Sequence, residues 1–305
     1  MSVNITINVS DEGPSTGGTT SLSSGQSEYP SNLMGDLTEL KDQMGEQIGP
    51  FPGSGIDGFL SHFVMMIEFL QGPQKGQYAT FSMPVALQTV ARSSPFIYRG
   101  GQESKSVPVP LPSGCTLANQ LSDSDFREKP AGFFRHGKET VFMQILNLDA
   151  RANTEIGPVR IILGETLKRE QPDLFAPSLG MAQSLGRSGF PAKLFFNPVA
   201  LVETQFGAFR AVHGTLAYGR ITSFPPVGTP VSILAPVPME PVETLRSALA
   251  AGKTSVEPMG RIISLAHPID VALQIPGDEA FRIVEHAIAS AGGPVGQSGT
   301  TMKLG

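Results

Sequence analysis

Glycine and proline divide the second half of the chain into short apolar segments, and this pattern limits the folds open to it. Turn signals such as Asn197-Pro198 and Phe206-Gly207 recur between the segments. The segments are residues 193–196, 200–204, 209–212, 215–221 and 231–234. Short apolar runs interrupted in this way are typical of strands in a β-barrel or a β-sandwich. The 34 glycines and 26 prolines among 305 residues disfavour a helical bundle.

Two longer pairs of apolar segments predict β-hairpins. Residues 59–70 and 77–90 flank a turn rich in glycine and proline, and residues 140–148 and 157–163 flank a polar connection. Two strand-like runs joined in this way favour antiparallel pairing. We therefore predict a mainly β fold, a barrel or sandwich of many short antiparallel strands with a few peripheral helices.

Helices are expected at three places, where apolar residues recur at helical spacing and a glycine follows. These are residues 33–48, 242–251 and 278–290. The charged residues 165–173 are compatible with a helical turn, whereas residues 175–188 are small and interrupted by glycine, without a strand pattern.

The domain organisation follows from composition. Residues 1–32 begin with alternating polar and apolar residues and continue into a Gly/Ser/Thr-rich stretch, which predicts a flexible N-terminal arm. Residues 33–291 form a single mainly β domain, in which residues 91–138 are a long irregular insertion with a possible role as a lid or an interface. Residues 292–305 are expected to be a flexible tail.

Charge and residue content exclude several classes of protein. A net charge of −5 without a Lys/Arg cluster argues against a nucleic-acid partner. The longest apolar run, residues 63–67, is too short to cross a bilayer, and no secretory leader is apparent, so we expect a cytoplasmic protein without a membrane partner. The single cysteine and five dispersed histidines predict neither a disulfide nor a metal site, and no cofactor motif is present.

Lys193 is the lysine for which the sequence suggests a chemical role. It follows the turn Gly189-Phe190-Pro191 and precedes three apolar residues, and no other charge occurs before Glu203. A lysine placed in an apolar pocket loses hydration, its pKa falls, and the neutral amine can attack a carbonyl to form a Schiff base. The alternative is a lysine whose stem lies on apolar surface while the ammonium reaches water.

Three further residues are candidates for a site built around this lysine. Glu68 lies in an apolar segment, where burial would raise its pKa and suit it to acid–base catalysis; an exposed carboxylate is the alternative. His213 follows a predicted strand and is a candidate for substrate binding; the favoured alternative is a structural histidine. Arg187 could hold the carboxylate of a substrate.

Residues 186–196 resemble the active-site segment of the acetoacetate decarboxylase family. The strands that follow, with the Phe206-Gly207 turn between them, and the segment 263–276 are also similar to that family. The resemblance implies a cone-like β-barrel, a homo-oligomer and a Schiff-base lysine, Lys193, that acts on small keto acids. Ala192 stands where the family carries a second lysine, and Ser188 stands where it carries a glutamate. A rival alignment on Gly164-Glu165 would select Lys168 instead.

Three functions remain open from the sequence. The first is a Schiff-base lyase or decarboxylase-like enzyme, with Lys193 and Glu68 as catalytic residues and Arg187 and His213 as substrate-binding residues. The second is a non-enzymatic structural or assembly protein, such as a shell or virion component. The third is a β-barrel that binds a ligand without catalysis. The first and third imply a small-molecule partner.

Overall fold

The protein is described by a computed structural model that covers residues 49–99, 106–130, 132–272, 279 and 281–283. This part of the chain is mostly β, as predicted. The strands are β1 (Gly55–Phe69), β2 (Tyr78–Arg92), β3 (Phe96–Ile97), β4 (Val107–Pro108), β5 (Gln120–Leu121), β6 (Glu139–Thr154), β7 (Gly157–Leu163), β8 (Leu179–Ser184), β9 (Ala192–Asn197), β10 (Ala200–Thr204), β11 (Gly207–Ala211), β12 (Leu216–Ile221), β13 (Val231–Ile233), β14 (Val237–Pro241), β15 (Gly260–Ala266) and β16 (Ile269–Ala272). The helices are α1 (Gly164–Glu170) and α2 (Val242–Ala250).

Both predicted hairpins are confirmed. The first is formed by β1 and β2, which pair from Gly55 opposite Arg92 to Glu68 opposite Tyr78. The second is formed by β6 and β7, and it continues to Thr154 opposite Gly157. Two apolar runs on either side of a short connection were sufficient to indicate both pairings.

Strand β6 closes the sheet into a ring because it is long enough to pair with different partners along its length. Its first half pairs with β2 and with β8, and its second half pairs with β7. The ring runs β6, β7, β10, β11, β14, β15, β1, β2 and back to β6, with antiparallel pairing throughout. Strands β8, β9, β12 and β13 continue from β6 as a branch of the same sheet. The architecture is therefore a partly closed barrel.

Two apolar cores lie on opposite faces of the branch. In β9, the side chains of Ala192, Leu194 and Phe196 belong to the core inside the barrel. Phe195, at the alternate position, belongs to a second core with Phe126 and other residues of the segment before β6. Alternate side chains of a strand point to opposite faces, so β9 is buried on both of its sides.

The described parts of residues 91–138 cover the outer face of this branch. Phe133 packs edge-on against Phe195 with ring centroids 4.6 Å apart, and Arg127 donates hydrogen bonds to the Pro177 and Asn197 carbonyls. The predicted irregular insertion is thus a packed layer over the sheet. A third core lies between α1, α2 and the strands β7 and β10.

Among the strands missed in the sequence are β8 and β14. Strand β8 lies in the small, glycine-containing stretch for which no strand was predicted. Gly180 is opposite Phe196 in the neighbouring strand, and the Phe196 ring occupies the space that a side chain at position 180 would need. The absence of a side chain, which weakens the strand pattern in the sequence, is what permits this packing.

Several predictions fall on residues outside the described ranges. These are the arm over residues 1–32, the helix over residues 33–48 and the tail over residues 292–305. Of the helix predicted for residues 278–290, residues 279 and 281–283 are described, and they are helical. Within the described residues, no helix has the length and apolar character needed to cross a membrane.

Candidate functional site

The interior of the barrel contains a partly enclosed cavity. Its unfilled space is about 960 Å³, including the part that opens to solvent. Strands of both the ring and the branch contribute to its wall, which is predominantly aliphatic and aromatic; examples are Phe59, Met143, Leu194 and Val237. A partly enclosed space with an apolar wall is typical of small-molecule binding sites.

Three buried polar side chains, Ser61, His267 and Tyr218, are joined by hydrogen bonds, and His267 and Tyr218 line the cavity. His267 follows β15 and is 5 % exposed; its Nε2 lies 2.9 Å from the Ser61 hydroxyl and its Nδ1 lies 3.1 Å from the Tyr218 hydroxyl. The imidazole also stacks on Phe63, with ring centroids 4.2 Å apart. Both ring nitrogens therefore have partners, and the ring is fixed in one orientation.

Burial keeps the His267 imidazole and the Tyr218 hydroxyl uncharged. Desolvation lowers the pKa of His267 to about 3, and the His62 imidazole nearby adds to this effect. Desolvation also raises the pKa of the Tyr218 hydroxyl well above its ordinary value. At neutral pH the imidazole is neutral, with one nitrogen donating a hydrogen bond and the other accepting one.

Gln88 places another polar group in the cavity wall. Its side chain is 3 % exposed, and its Oε1 has no hydrogen-bond partner among the described residues. A buried polar atom without a partner costs about 1–3 kcal/mol. This acceptor is therefore suited to a hydrogen-bond donor on a molecule inside the cavity.

The formal charge at the cavity wall is already neutralised. The Asp57 carboxylate accepts two hydrogen bonds from the Arg92 guanidinium, at 3.0 and 3.1 Å. Arg92 also donates to the Pro52 and Gly53 carbonyls, and its guanidinium carbon lies 5.6 Å from the centroid of the Phe224 ring. The pair is thus a fixed structural element beside the loop that contains Phe224.

Lys193 is buried, and it lies on the outer side of the sheet. The side chain is 6 % exposed, and its Nζ donates a hydrogen bond of 3.2 Å to the Gly132 carbonyl and lies 4.5 Å from the centroid of the Phe133 ring. Desolvation lowers its pKa to about 8, and the positive charges of Arg135 and Lys138 contribute to this shift. Its neighbours Leu194 and Phe196 line the cavity, whereas Lys193 does not.

The other predicted site residues lie apart from Lys193. Glu68 accepts a hydrogen bond of 2.6 Å from Arg261 near the β1–β2 turn. Tyr78, its partner across the hairpin, is separated from Arg92 by the whole of β2, which corresponds to roughly 45 Å of strand. Arg92 is paired with β6, and Thr140 of β6 is opposite Gln183 of β8, which is opposite Lys193 of β9. Lys193 therefore lies towards the Arg92 end of the sheet, and Glu68 lies at the other end of β1 and β2.

Arg187 and His213 are both exposed. Arg187 is in the loop between β8 and β9, and its carbonyl accepts a hydrogen bond from the Glu139 amide. His213 has a side-chain exposure of 52 %, and its Nδ1 lies 3.5 Å from Glu128. Neither residue lines the cavity. None of the four predicted site residues, Lys193, Glu68, Arg187 and His213, lines this cavity.

The rival lysine of the sequence comparison is also held outside the barrel. Lys168 is half-buried on α1, and its Nζ donates a hydrogen bond of 2.6 Å to the Thr116 carbonyl. The preceding Glu165 is 1 % exposed and accepts hydrogen bonds from the amide and hydroxyl of Thr116. These contacts attach the outer layer to α1.

No group of three or more His, Cys, Asp or Glu side chains that could hold a metal ion occurs within the described ranges. Cys115 is half-buried, and desolvation raises the pKa of its thiol to about 11. A thiol with a raised pKa remains protonated at neutral pH and is a poor nucleophile.

Sequence reasoning missed the polar residues that do line the cavity, namely Gln88, Tyr218 and His267. Ser61 carried a usable signal, because it is a small polar residue within the alternation of Phe59, Phe63 and the residues that follow. A polar residue at an inward position of an apolar strand indicates a buried hydrogen bond.

Comparison with known proteins gives little further guidance. No family model matches the chain, and a search of curated proteins found no match. Among solved structures, the chain is similar to DynF from the dynemicin biosynthesis pathway of Micromonospora chersina, with 13 % sequence identity and a TM-score of 0.47. The match covers 75 % of this chain and 87 % of that one.

Proposed function

We propose that this protein binds an apolar small molecule inside its β-barrel. The observation that carries the proposal is the partly enclosed cavity of about 960 Å³, whose wall is predominantly apolar. Protein interiors are normally close-packed, and unfilled apolar space lowers stability. An apolar space left open inside the barrel is therefore better explained by a ligand than by imperfect packing.

Fluorescence of N-phenyl-1-naphthylamine, a neutral apolar probe, tests the proposal. The protein contains no tryptophan, so the probe signal is free of that background. We expect saturable binding with a blue-shifted emission. Ala200→Phe, which places a ring in the cavity wall, should weaken binding about tenfold.

The matched control is Ala266→Phe, which adds the same ring at an exposed position on β15. This variant should bind the probe like the wild type. Absence of saturable binding by the wild type, or equal effects of the two variants, would contradict the proposal.

A second candidate function is Schiff-base chemistry at Lys193, acting on small keto acids in the manner of a decarboxylase-like lyase. The buried amine with a pKa of about 8 supports it, as does the resemblance of residues 186–196 to the acetoacetate decarboxylase family. A carbonyl compound would have to reach the amine beneath Gly132 and Phe133. Glu68, Arg187 and His213 would act in this reaction only after a rearrangement that brings them to the lysine.

Incubation with pyruvate and borohydride, followed by peptide mass mapping, separates the two candidates. A reduced adduct on Lys193 that is absent from Lys193→Met supports Schiff-base chemistry. Lys168→Met serves as the control, because it removes the rival lysine. No adduct on Lys193 would leave ligand binding as the function and contradict the lyase.

We also propose that the protein is cytoplasmic and forms a homo-oligomer, from its lack of disulfide-forming cysteines and from the same resemblance. Gel filtration with light scattering tests the second point. A monomer would contradict both the oligomer and the alternative role as a shell or assembly component.

A further inference from the structure

The polar groups of the cavity wall lie near one another along strand β1. Gln88 is directly opposite Phe59, and Ser61, which bonds His267, is two positions further along the same strand. Neighbouring strands are about 5 Å apart and each residue adds about 3.3 Å, so the backbones at Gln88 and Ser61 are roughly 8 Å apart. Gln88, His267 and Tyr218 therefore define a polar corner in an apolar chamber.

The hydrogen-bonding capacity of this corner is only partly used inside the protein. The Gln88 Oε1 has no partner among the described residues. Tyr218 is engaged with His267 through a single contact of its hydroxyl, which has one donor and two acceptor positions. Depending on the tautomer of His267, the Tyr218 hydroxyl retains a donor or an acceptor for a further partner. The corner can thus form hydrogen bonds with a ligand group that is both a donor and an acceptor.

The same wall is unsuited to a charged group. Of the described residues that line the cavity, Asp57 carries the formal charge, and Arg92 already neutralises it. Lys193 lies on the other face of the sheet, and the imidazole of His267 is neutral at physiological pH. A carboxylate in the chamber would have no cationic partner, and burial of an unpaired charge is strongly unfavourable.

We infer that the ligand is a largely hydrocarbon molecule with one uncharged hydroxyl group, an alcohol, that hydrogen-bonds at the corner formed by Gln88 and the Tyr218–His267 pair. This inference rests on the proposed binding function and specifies its ligand class. It predicts that the cavity discriminates by the polar end of the ligand, since the apolar wall accepts any hydrocarbon chain of suitable size.

Displacement of N-phenyl-1-naphthylamine by four ten-carbon compounds tests the inference. We expect 1-decanol to displace the probe at concentrations about tenfold lower than n-decane or decanoate. The ketone 2-decanone cannot donate a hydrogen bond to the Gln88 Oε1 and should be weaker than 1-decanol. Gln88→Leu and Tyr218→Phe should each reduce the preference for 1-decanol over n-decane about fivefold, measured as the ratio of their displacement concentrations within each variant. Far-UV circular dichroism spectra that match the wild type show that the variants are folded.

Two results would overturn the inference. In the first, the wild type binds the probe, but decanoate or n-decane competes as well as 1-decanol; in this case cavity binding stands and the ligand class is wrong. In the second, both variants retain the wild-type preference for the alcohol, which would exclude the corner as the recognition element. If the probe does not bind at all, the proposed function fails together with the inference.

Discussion

Lys193 and Leu194 are consecutive residues of one strand, and their side chains point to opposite faces of the sheet. Leu194 lines the cavity, whereas the Lys193 ammonium contacts the Gly132 carbonyl and the Phe133 ring in the outer layer. The lowered pKa of Lys193 therefore arises from enclosure between the sheet and the segment that covers it. A perturbed lysine pKa is compatible with catalysis, but here it also follows from a structural position.

The burial of Lys193 predicts an unusual dependence of stability on alkaline pH. The pKa of Lys193 is about 8 in the folded protein, against an ordinary value of 10.5. Between these values the unfolded chain binds more protons at this site, so the free energy of unfolding should increase as pH rises from 8 towards 10.5. The contribution is at most about 3 kcal/mol.

Urea denaturation at pH 7, 8, 9 and 10 measures this effect as the difference between the wild type and Lys193→Met. The difference should change with pH in favour of the wild type. Lys75→Met removes an exposed lysine and controls for the loss of one charge. Parallel pH profiles for the wild type and Lys193→Met would show that the amine is not desolvated in solution.

The sequence predicted the sheet better than it predicted the site, and the reason is the range of the interactions. The pairing of β1 with β2 depends on a local turn between two apolar runs, which the sequence displays. Closure of the ring depends on the register of β6 with β2 and of β7 with β10, which joins residues far apart in the chain. Register of this kind is set by packing on the two faces and not by local propensity.

The candidate site also depends on contacts between residues far apart in the chain, which local sequence patterns do not display. The apolar neighbours of Lys193 correctly indicated burial, but β9 is apolar on both faces, so alternation could not reveal which face encloses the cavity. The polar corner joins Ser61 to His267 across 206 positions and Tyr218 to His267 across 49. No local motif connects residues at such separations, and only the folded chain brings them together.

His267 predicts a loss of stability in acid. Its pKa is about 3 in the folded protein and 6.5 ordinarily, so the unfolded chain takes up the proton first as pH falls. Stability from the neutral imidazole is complete above pH 6.5 and is lost progressively as pH falls towards 3, by on the order of 4 kcal/mol. Carboxylates also titrate in this range, so the comparison requires matched variants.

Thermal melts between pH 7 and 4 of the wild type, His267→Gln and His213→Gln provide that comparison. His213→Gln is the matched control, because it removes an exposed imidazole instead of a buried one. His267→Gln should be less stable than the wild type at pH 7, because the stacking on Phe63 is lost, and the difference should narrow towards pH 4. A difference that is constant with pH would show that His267 titrates normally.

Gly180→Ala tests the contact between β8 and β9 that gives the branch its packing. A Cβ at position 180 would overlap the Phe196 ring, and both residues are held by the strand pairing that places them opposite each other. Overpacking of a rigid core costs about 1–3 kcal/mol, so Gly180→Ala should lower the free energy of unfolding by that amount. Gly186→Ala is the matched control, since a Cβ there would meet only the Ser184 hydroxyl at 3.7 Å.

The same contact allows a double-mutant test by urea denaturation. In a Phe196→Leu background the ring is absent, so Gly180→Ala should cost less there than in the wild type, by about 1 kcal/mol or more. Because Phe196 also lines the cavity, the coupling would link the packing of β8 to the shape of the ligand chamber. Additive effects of the two changes would show that the ring does not lie over Gly180.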